Sequence, residues 1–156
     1  MILLGIAFFS ELSLAWYEKA AQQGHLKAQM QLGDAYAYGY GVDVDYKKAV
    51  RWWKEAAEQG ATQAQLKVAD AYLTGRGIEK NPEESVRWLR MPAEDGIAEF
   101  QQSLGCAYRD GFGVEIDLNE AAQWFNRAYR NGNARSCSDL SKLENLFESS
   151  QSKQGD

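Results

Sequence analysis

One histidine and two cysteines are the conventional nucleophilic and metal-binding side chains of this sequence. His25 directly follows Gly24, a surface loop position, and a Ser-His-Asp or Cys-His arrangement would have to be built on it alone. Cys106 and Cys137 lack the close spacing of a metal site. They read as reduced thiols, with a bridge between neighbouring structural units as the alternative. The pairs Gly39/Gly41, Gly75/Gly77 and Gly111/Gly113 offer backbone N–H groups to a phosphate, but none extends to the dinucleotide fingerprint or follows a strand. The 5 tryptophans and 8 tyrosines would stack on single-stranded RNA bases if exposed. Their spacing puts them on apolar stripes instead. The sequence therefore predicts no catalytic residue, no metal and no cofactor.

The elements that carry these residues recur every 36 positions. Gly24, Gly60, Gly96 and Gly132 lie one period apart, as do Trp16, Trp52, Trp88 and Trp124. Tyr36, Tyr72 and Tyr108 follow the same rule. A period of this length marks a solenoid, in which each unit buries its apolar face against its neighbours. At 156 residues, 45% hydrophobic and 25% charged, the chain falls in the soluble-domain range. With 17 Lys+Arg against 22 Asp+Glu the net charge is -5, and no basic run argues for nucleic acid.

Each repeat reads as two helices. In the first, Ala28, Leu32, Ala35 and Tyr36 form one face, matched by Ala64, Val68, Ala71 and Tyr72 and by Phe100, Leu104, Ala107 and Tyr108. Gly33, Ala69 and Gly105 leave room for a neighbouring helix. Asp45, Asn81 and Asp117 sit at the N-caps of the second helices, with Glu84 and Glu120 three residues on. Ala49, Trp52, Trp53 and Ala56 start the buried stripes of the second helices, followed by Ser85, Trp88, Leu89 and Pro92 and by Ala121, Trp124, Phe125 and Ala128. Pro92 lies deep in its helix and predicts a kink or early termination near Arg90.

The run Ala28-Gln29, Leu32-Gly33, Tyr36, Gly39, Gly41-Val42, Asp45, Lys48-Ala49, Trp52, Ala56-Ala57 and Gly60 resembles the Sel-one-like repeat, a relative of the tetratricopeptide repeat. The resemblance covers about residues 5 to 140, with departures at Ser85, Met91-Pro92 and Phe100. It implies an all-α fold, a right-handed α/α superhelix. The frame is a partial repeat at 1–24, repeats at 25–60, 61–96 and 97–132, a capping helix at 133–148 and a disordered tail at 149–156. Family members serve as adaptors, and the function expected here is a non-enzymatic module that binds another protein. Some small members are immunity proteins that neutralise a toxin, which is the alternative reading. Cysteine-rich members that bind or hydrolyse β-lactams carry a disulfide in every repeat, a pattern missing here.

In related helical repeats the first helices line the concave face. The partner-binding ladder expected there is Lys27, Gln31, Asp34 and Tyr38, then Gln63, Lys67, Asp70 and Thr74, then Glu99, Ser103 and Asp110, with Cys106 beside the last rung. Exposed aromatics are enriched at binding hot spots, which singles out Tyr38 and its neighbour Tyr40. Changing Asp34 and Asp70 together to Lys is expected to weaken partner binding with the melting temperature nearly unchanged.

The ends leave readings open. Met1 to Phe9 is almost wholly apolar and Ser13-Leu14-Ala15 has the form of a cleavage site, but no Lys or Arg precedes it. Gly5-Ile6 is in register with Gly41-Val42, which favours a repeat fragment or cap. It is too short to span a bilayer. A cytoplasmic location is expected, and a periplasmic or secreted one if residues 1–15 act as a signal. Trp16 and Tyr17 lack a preceding first helix to pack on, so the chain is expected to be a monomer or to self-associate weakly there.

Overall fold

The computed structural model describes the backbone from Glu11 to Ser152 and side chains from Leu14 to Asn145. The apolar segment Met1 to Phe9 and the side chains of Leu146 and Phe147 lie outside the described residues. Contacts divide the chain between Asn81 and Pro82 into two compact units. In unit 1, α1 (Glu11–Gln22), α2 (Leu26–Tyr38), α3 (Tyr46–Glu58) and α4 (Thr62–Thr74) follow one another, each packed on the next. Unit 2 repeats the arrangement with α5 (Pro82–Glu94), α6 (Ala98–Asp110), α7 (Leu118–Arg130) and α8 (Arg135–Ser152). No strand occurs among the described residues.

The turns between second and first helices are built alike. The N–H of Gly60 donates to the Ala57 carbonyl at 2.9 Å and the N–H of Ala61 to the Ala56 carbonyl at 3.1 Å, the paired bonds of a Schellman motif. Gly60 sits at φ 88°, a conformation that favours glycine. The same pair of bonds recurs after α1, α5 and α7. After α1, α3 and α5 a buried glutamine gives the carbonyl that accepts the glycine N–H a second donor. Gln29 donates to the Ala21 carbonyl at 3.2 Å, Gln65 to that of Ala57 at 3.4 Å and Gln101 to that of Ala93 at 2.9 Å. These are C-terminal carbonyls that no intrahelical N–H reaches.

The hairpin loops close by another recurring bond. The N–H groups of Asp45, Asn81 and Asp117 donate to the carbonyls of Tyr36, Tyr72 and Tyr108 at 2.8, 2.8 and 2.9 Å. The Asp45 carboxylate then caps α3 at the Lys48 N–H, and Asp117 caps α7 at Asn119 and Glu120. In both units small residues admit the facing aromatic ring: Gly33 lies under the Trp53 indole and Gly105 under the Phe125 ring. The tyrosine hydroxyls reach back to the preceding second helix. Tyr36 donates to Glu18 at 2.9 Å, while the hydroxyls of Tyr72 and Tyr108 accept from Lys54 at 3.3 Å and Arg90 at 3.2 Å.

Two expectations need correction. Helix α5 does not end near Arg90: it runs to Glu94 with Pro92 inside it, ending one period after α3 and one before α7. Pro92 sits in the last turn, where its carbonyl is used by the Ile97 N–H and the absence of its own N–H costs a single bond. The buried proline ring also adds to the core. Helix α8 likewise continues past 148 to Ser152. No Gly or Pro interrupts residues 135–152, and polar composition alone does not stop a helix.

Replacing Gly33 by Ala should lower stability by about 1–3 kcal/mol through overpacking against Trp53, outweighing a helix-propensity gain of at most about 1 kcal/mol. Thermal unfolding decides, and a raised melting temperature would contradict the packing described. Gln101→Leu should cost about 1–3 kcal/mol by removing two buried side-chain bonds, the one its amide donates to the Ala93 carbonyl and the one its oxygen accepts from Asn131. Urea unfolding within experimental error of the parent would remove that role.

Candidate functional site

The first helices α2, α4 and α6 bury one stripe and turn the flanking positions outward. Lys27, Gln31 and Tyr38 on α2 are exposed, as are Gln63, Asp70 and Thr74 on α4 and Glu99 and Asp110 on α6. Asp34, Lys67, Ser103 and Cys106 are half-buried. The hydroxyls of Thr74 and Ser103 donate to the carbonyls of Asp70 and Glu99, one turn back, at 2.8 and 2.9 Å.

In unit 1 part of this ladder converges on a groove. Asp34 accepts from the indole N–H of Trp53 at 3.0 Å and pairs with the Lys67 ammonium at 3.2 Å. Lys67 also donates to the Tyr38 hydroxyl at 3.4 Å. Its ammonium lies 5.3 Å from the centre of the Tyr38 ring and 4.9 Å from the Trp53 ring, within cation–π range. Tyr38, Trp53 and Lys67 border a cavity of about 290 Å³ whose walls include Ala37, Tyr46, Leu66, Asp70 and Arg76. The Arg76 guanidinium stacks 4.9 Å from the Tyr46 ring centre. Tyr38 is 56% exposed at the rim, its ring centre 5.6 Å from that of Tyr40.

Burial pulls the Lys67 pKa down, but the Asp34 charge and the hydrogen bonds with Tyr38 and Asp34 outweigh it, so the ammonium is held above the ordinary lysine value. Asp34 is therefore a positioning residue for Lys67 and Trp53, not a free rung. The expectation that Asp34 and Asp70 can both become Lys at no cost to stability is corrected on this point. The signal was available in sequence terms, since Trp53 lies within reach of α2 in the hairpin and its N–H needs an acceptor when buried.

Unit 2 places different chemistry at the corresponding positions. Arg109 forks onto Asp110, with both nitrogens at 2.7 Å, and lies 3.6 Å from Asp139. Asp139 also meets Lys142 at 3.3 Å and accepts from Gln102 at 2.9 Å. The hydrogen bond from Arg109 holds the Asp110 carboxyl below its usual value, and the same bond raises the guanidinium further. Cys106 packs against the cluster of Ala121, Phe125 and Leu143, and burial pushes its thiol pKa up, away from nucleophilic use. Cys137 is exposed, and both cysteines are free thiols.

The remaining candidates resolve by burial. Trp52, Trp53 and Trp124 are core residues, Trp88 is half-buried, and Trp16 is 67% exposed. His25 is exposed and begins α2 through its carbonyl, which accepts from Ala28 and Gln29. Among the described residues no group of three His, Cys, Asp or Glu is placed to hold a metal ion, and no helix is long and apolar enough to cross a membrane.

Comparison with known proteins places this geometry. The Sel1 repeat matches residues 10–25, 26–60, 62–96 and 98–133. No curated protein matches. Among solved structures, a protective antigen present in uropathogenic Escherichia coli strains, displaying an SLR fold, is 41% identical over 83% of this chain and 28% of its own, with a TM-score of 0.76. A Sel1 repeat protein from Oxalobacter formigenes is 34% identical over 83% of this chain and 53% of its own, with a TM-score of 0.74. Helicobacter pylori cysteine rich protein B shares the fold at 18% identity, covering 83% of this chain and 93% of its own, with a TM-score of 0.61. The chain thus spans well under two thirds of the length of the first two.

Asp34→Ala should cost about 1–3 kcal/mol at neutral pH by leaving the Trp53 N–H unmet. The pH dependence has a defined sign. Because the folded Lys67 pKa is raised, its contribution is complete below the ordinary lysine range and is lost as pH rises through the raised value. Urea unfolding from neutral to alkaline pH should show that loss in the parent and not in Asp34→Ala. Parallel curves would contradict the pairing.

Proposed function

Because this chain belongs to the Sel1 repeat family, whose proteins are protein–protein interaction modules, we propose that it is a non-enzymatic adaptor that binds a partner protein on the face lined by α2, α4 and α6. The observation that carries this reading is the rim of the unit 1 groove, where Tyr38 is exposed and Asp70 shares the lining. A large aromatic ring left in water next to an apolar cleft gains by burial against a partner. The surface around it is held by a fixed backbone, so little ordering cost accompanies binding. Within unit 1 the rungs Lys27, Gln31 and Gln63 supply the polar surround while Asp34 and Lys67 hold the surface in shape, and Glu99, Ser103 and Asp110 are the proposed rungs of α6 in unit 2. The alternative reading, an immunity protein, uses the same face and differs in the identity of the partner.

Affinity purification of the tagged chain from its native cells, followed by titration with the purified partner, tests the proposal. Tyr38→Ala combined with Thr74→Arg should weaken binding about tenfold or more, with helix content unchanged and stability within about 1 kcal/mol. Glu58→Ala, on the exposed side of α3, should leave affinity unchanged. A partner that binds both variants alike would move the site off this face, and β-lactam turnover by the purified chain would replace the adaptor with an enzyme.

A further inference from the structure

The groove of unit 1 stands apart because its lining does not recur. One period after Tyr38 come Thr74 and then Asp110; Lys67 is followed by Ser103 and Asp139, Arg76 by Phe112, and Tyr46 by Pro82 and Leu118. Positions that serve the scaffold do recur, as Gln29, Gln65 and Gln101 or Tyr36, Tyr72 and Tyr108 demonstrate. Within one chain the repeats are a control for each other: what every copy needs for folding is present in every copy. Folding therefore does not account for the combination of Tyr38, Tyr46, Lys67 and Arg76.

Charge in the groove also runs against the chain. The whole sequence carries a net charge of -5, yet the charged groups lining the cavity are Lys67, Arg76 and Asp70, two cations to one anion. Asp34, which holds Lys67, is not part of that lining. An ammonium has three N–H donors, and Asp34 and Tyr38 take two of those of Lys67. Arg76 is exposed between two glycines, stacked on Tyr46, and forms no ion pair among the described residues. A stacked guanidinium with its donor edge open is suited to a carboxylate. The cavity, about 290 Å³, lies at the lower end of the ~300–1,000 Å³ range of small-ligand clefts. One aromatic side chain fits that size better than a cofactor does.

The geometry points to an acidic, aromatic segment of the partner protein as the occupant. Its aromatic side chain enters between Tyr38, Tyr46 and Trp53, and an adjacent Asp or Glu carboxylate pairs with Arg76, with the third N–H of Lys67 as a further donor. Asp70 repels acidic groups on its side of the groove and so sets the direction of the segment. This assignment rests on the adaptor reading and names the chemistry of its partner.

The test uses end-capped heptapeptides titrated into the full-length, nitrogen-15-labelled chain and followed by amide shifts. One peptide carries a phenylalanine flanked by glutamates; the others replace the glutamates by lysines, replace the phenylalanine by alanine, or carry a free C-terminal carboxylate as their only acid. The glutamate–phenylalanine peptide should give saturable shifts at Tyr38, Lys67 and Arg76, binding about tenfold more tightly than each of the others. Arg76→Glu should abolish that preference and Asp70→Asn should raise affinity about threefold, with the remaining amide spectrum preserved. Equal or tighter binding of the lysine peptide, preference for the free C-terminus, or indifference to Arg76→Glu would each overturn the assignment. If no peptide binds while the cellular partner is still lost from the Tyr38/Thr74 variant, only this ligand chemistry falls. If the partner is also retained, the adaptor face falls with it.

Discussion

The fold depends on a constraint at the helix ends. A helix of thirteen residues, such as α2, leaves its last four carbonyls without intrahelical donors, and in a chain of short helices those ends come close together. Here the ends of α1, α3 and α5 are closed from outside. A glycine in the left-handed region turns the chain and its N–H donates to a carbonyl of the last turn, and the amide of a buried glutamine on the next helix donates to that same carbonyl. In α2 and α6 the glutamine oxygen is used as well, accepting from Gln59 at 2.6 Å and Asn131 at 2.9 Å. Because the donor is fixed on one helix and the acceptor on the one before it, this bond sets the position of successive elements, which apolar contact alone would leave free to slide.

The groove follows from that framework. With α2, α3 and α4 fixed, Gly33 admits Trp53, Trp53 presents its N–H to Asp34, and Asp34 holds Lys67 against two aromatic rings. Each step is local; Gly33 and Asp34 recur as Gly105 and Asp70, while Trp53 and Lys67 are replaced in the other copies. Leu89 and Phe125 stand where Trp53 does, and Ser103 and Asp139 stand in the place of Lys67. The same scaffold in unit 2 instead supports the ion-pair cluster of Arg109, Asp110, Asp139 and Lys142.

Much of the fold was legible in the sequence because the scaffold signals are periodic. Glycine turns, the Asp45 and Asp117 caps and the apolar stripes are short-range features that recur at one spacing, so each copy supports the reading of the others. Pro92 misled because the rule against proline applies to the helix interior, and this proline lies in a final turn whose closing bonds use its carbonyl. Gln29, Gln65 and Gln101 were visible as a recurring polar position, but their role needed the partner carbonyl eight residues back. Asp34 was the harder case. Its spacing marks an exposed helix face; the need of a buried Trp53 N–H for an acceptor pointed the other way, and the tertiary approach of Trp53 and Lys67 makes Asp34 that acceptor.

The central claim is that recurring positions build the scaffold while diverging positions of unit 1 make the binding surface. A substitution scan of residues 25–81 measures it most directly, with every variant read both for protease resistance of the folded chain and for binding of the purified partner. Substitutions at Gln29, Tyr36, Gly60, Gln65 and Tyr72 should reduce both readouts together, and those at Tyr38, Asp70 and Arg76 should reduce or alter binding in chains that remain fully folded. Binding that falls only where folding falls, with Tyr38, Asp70 and Arg76 silent in both, would contradict the account.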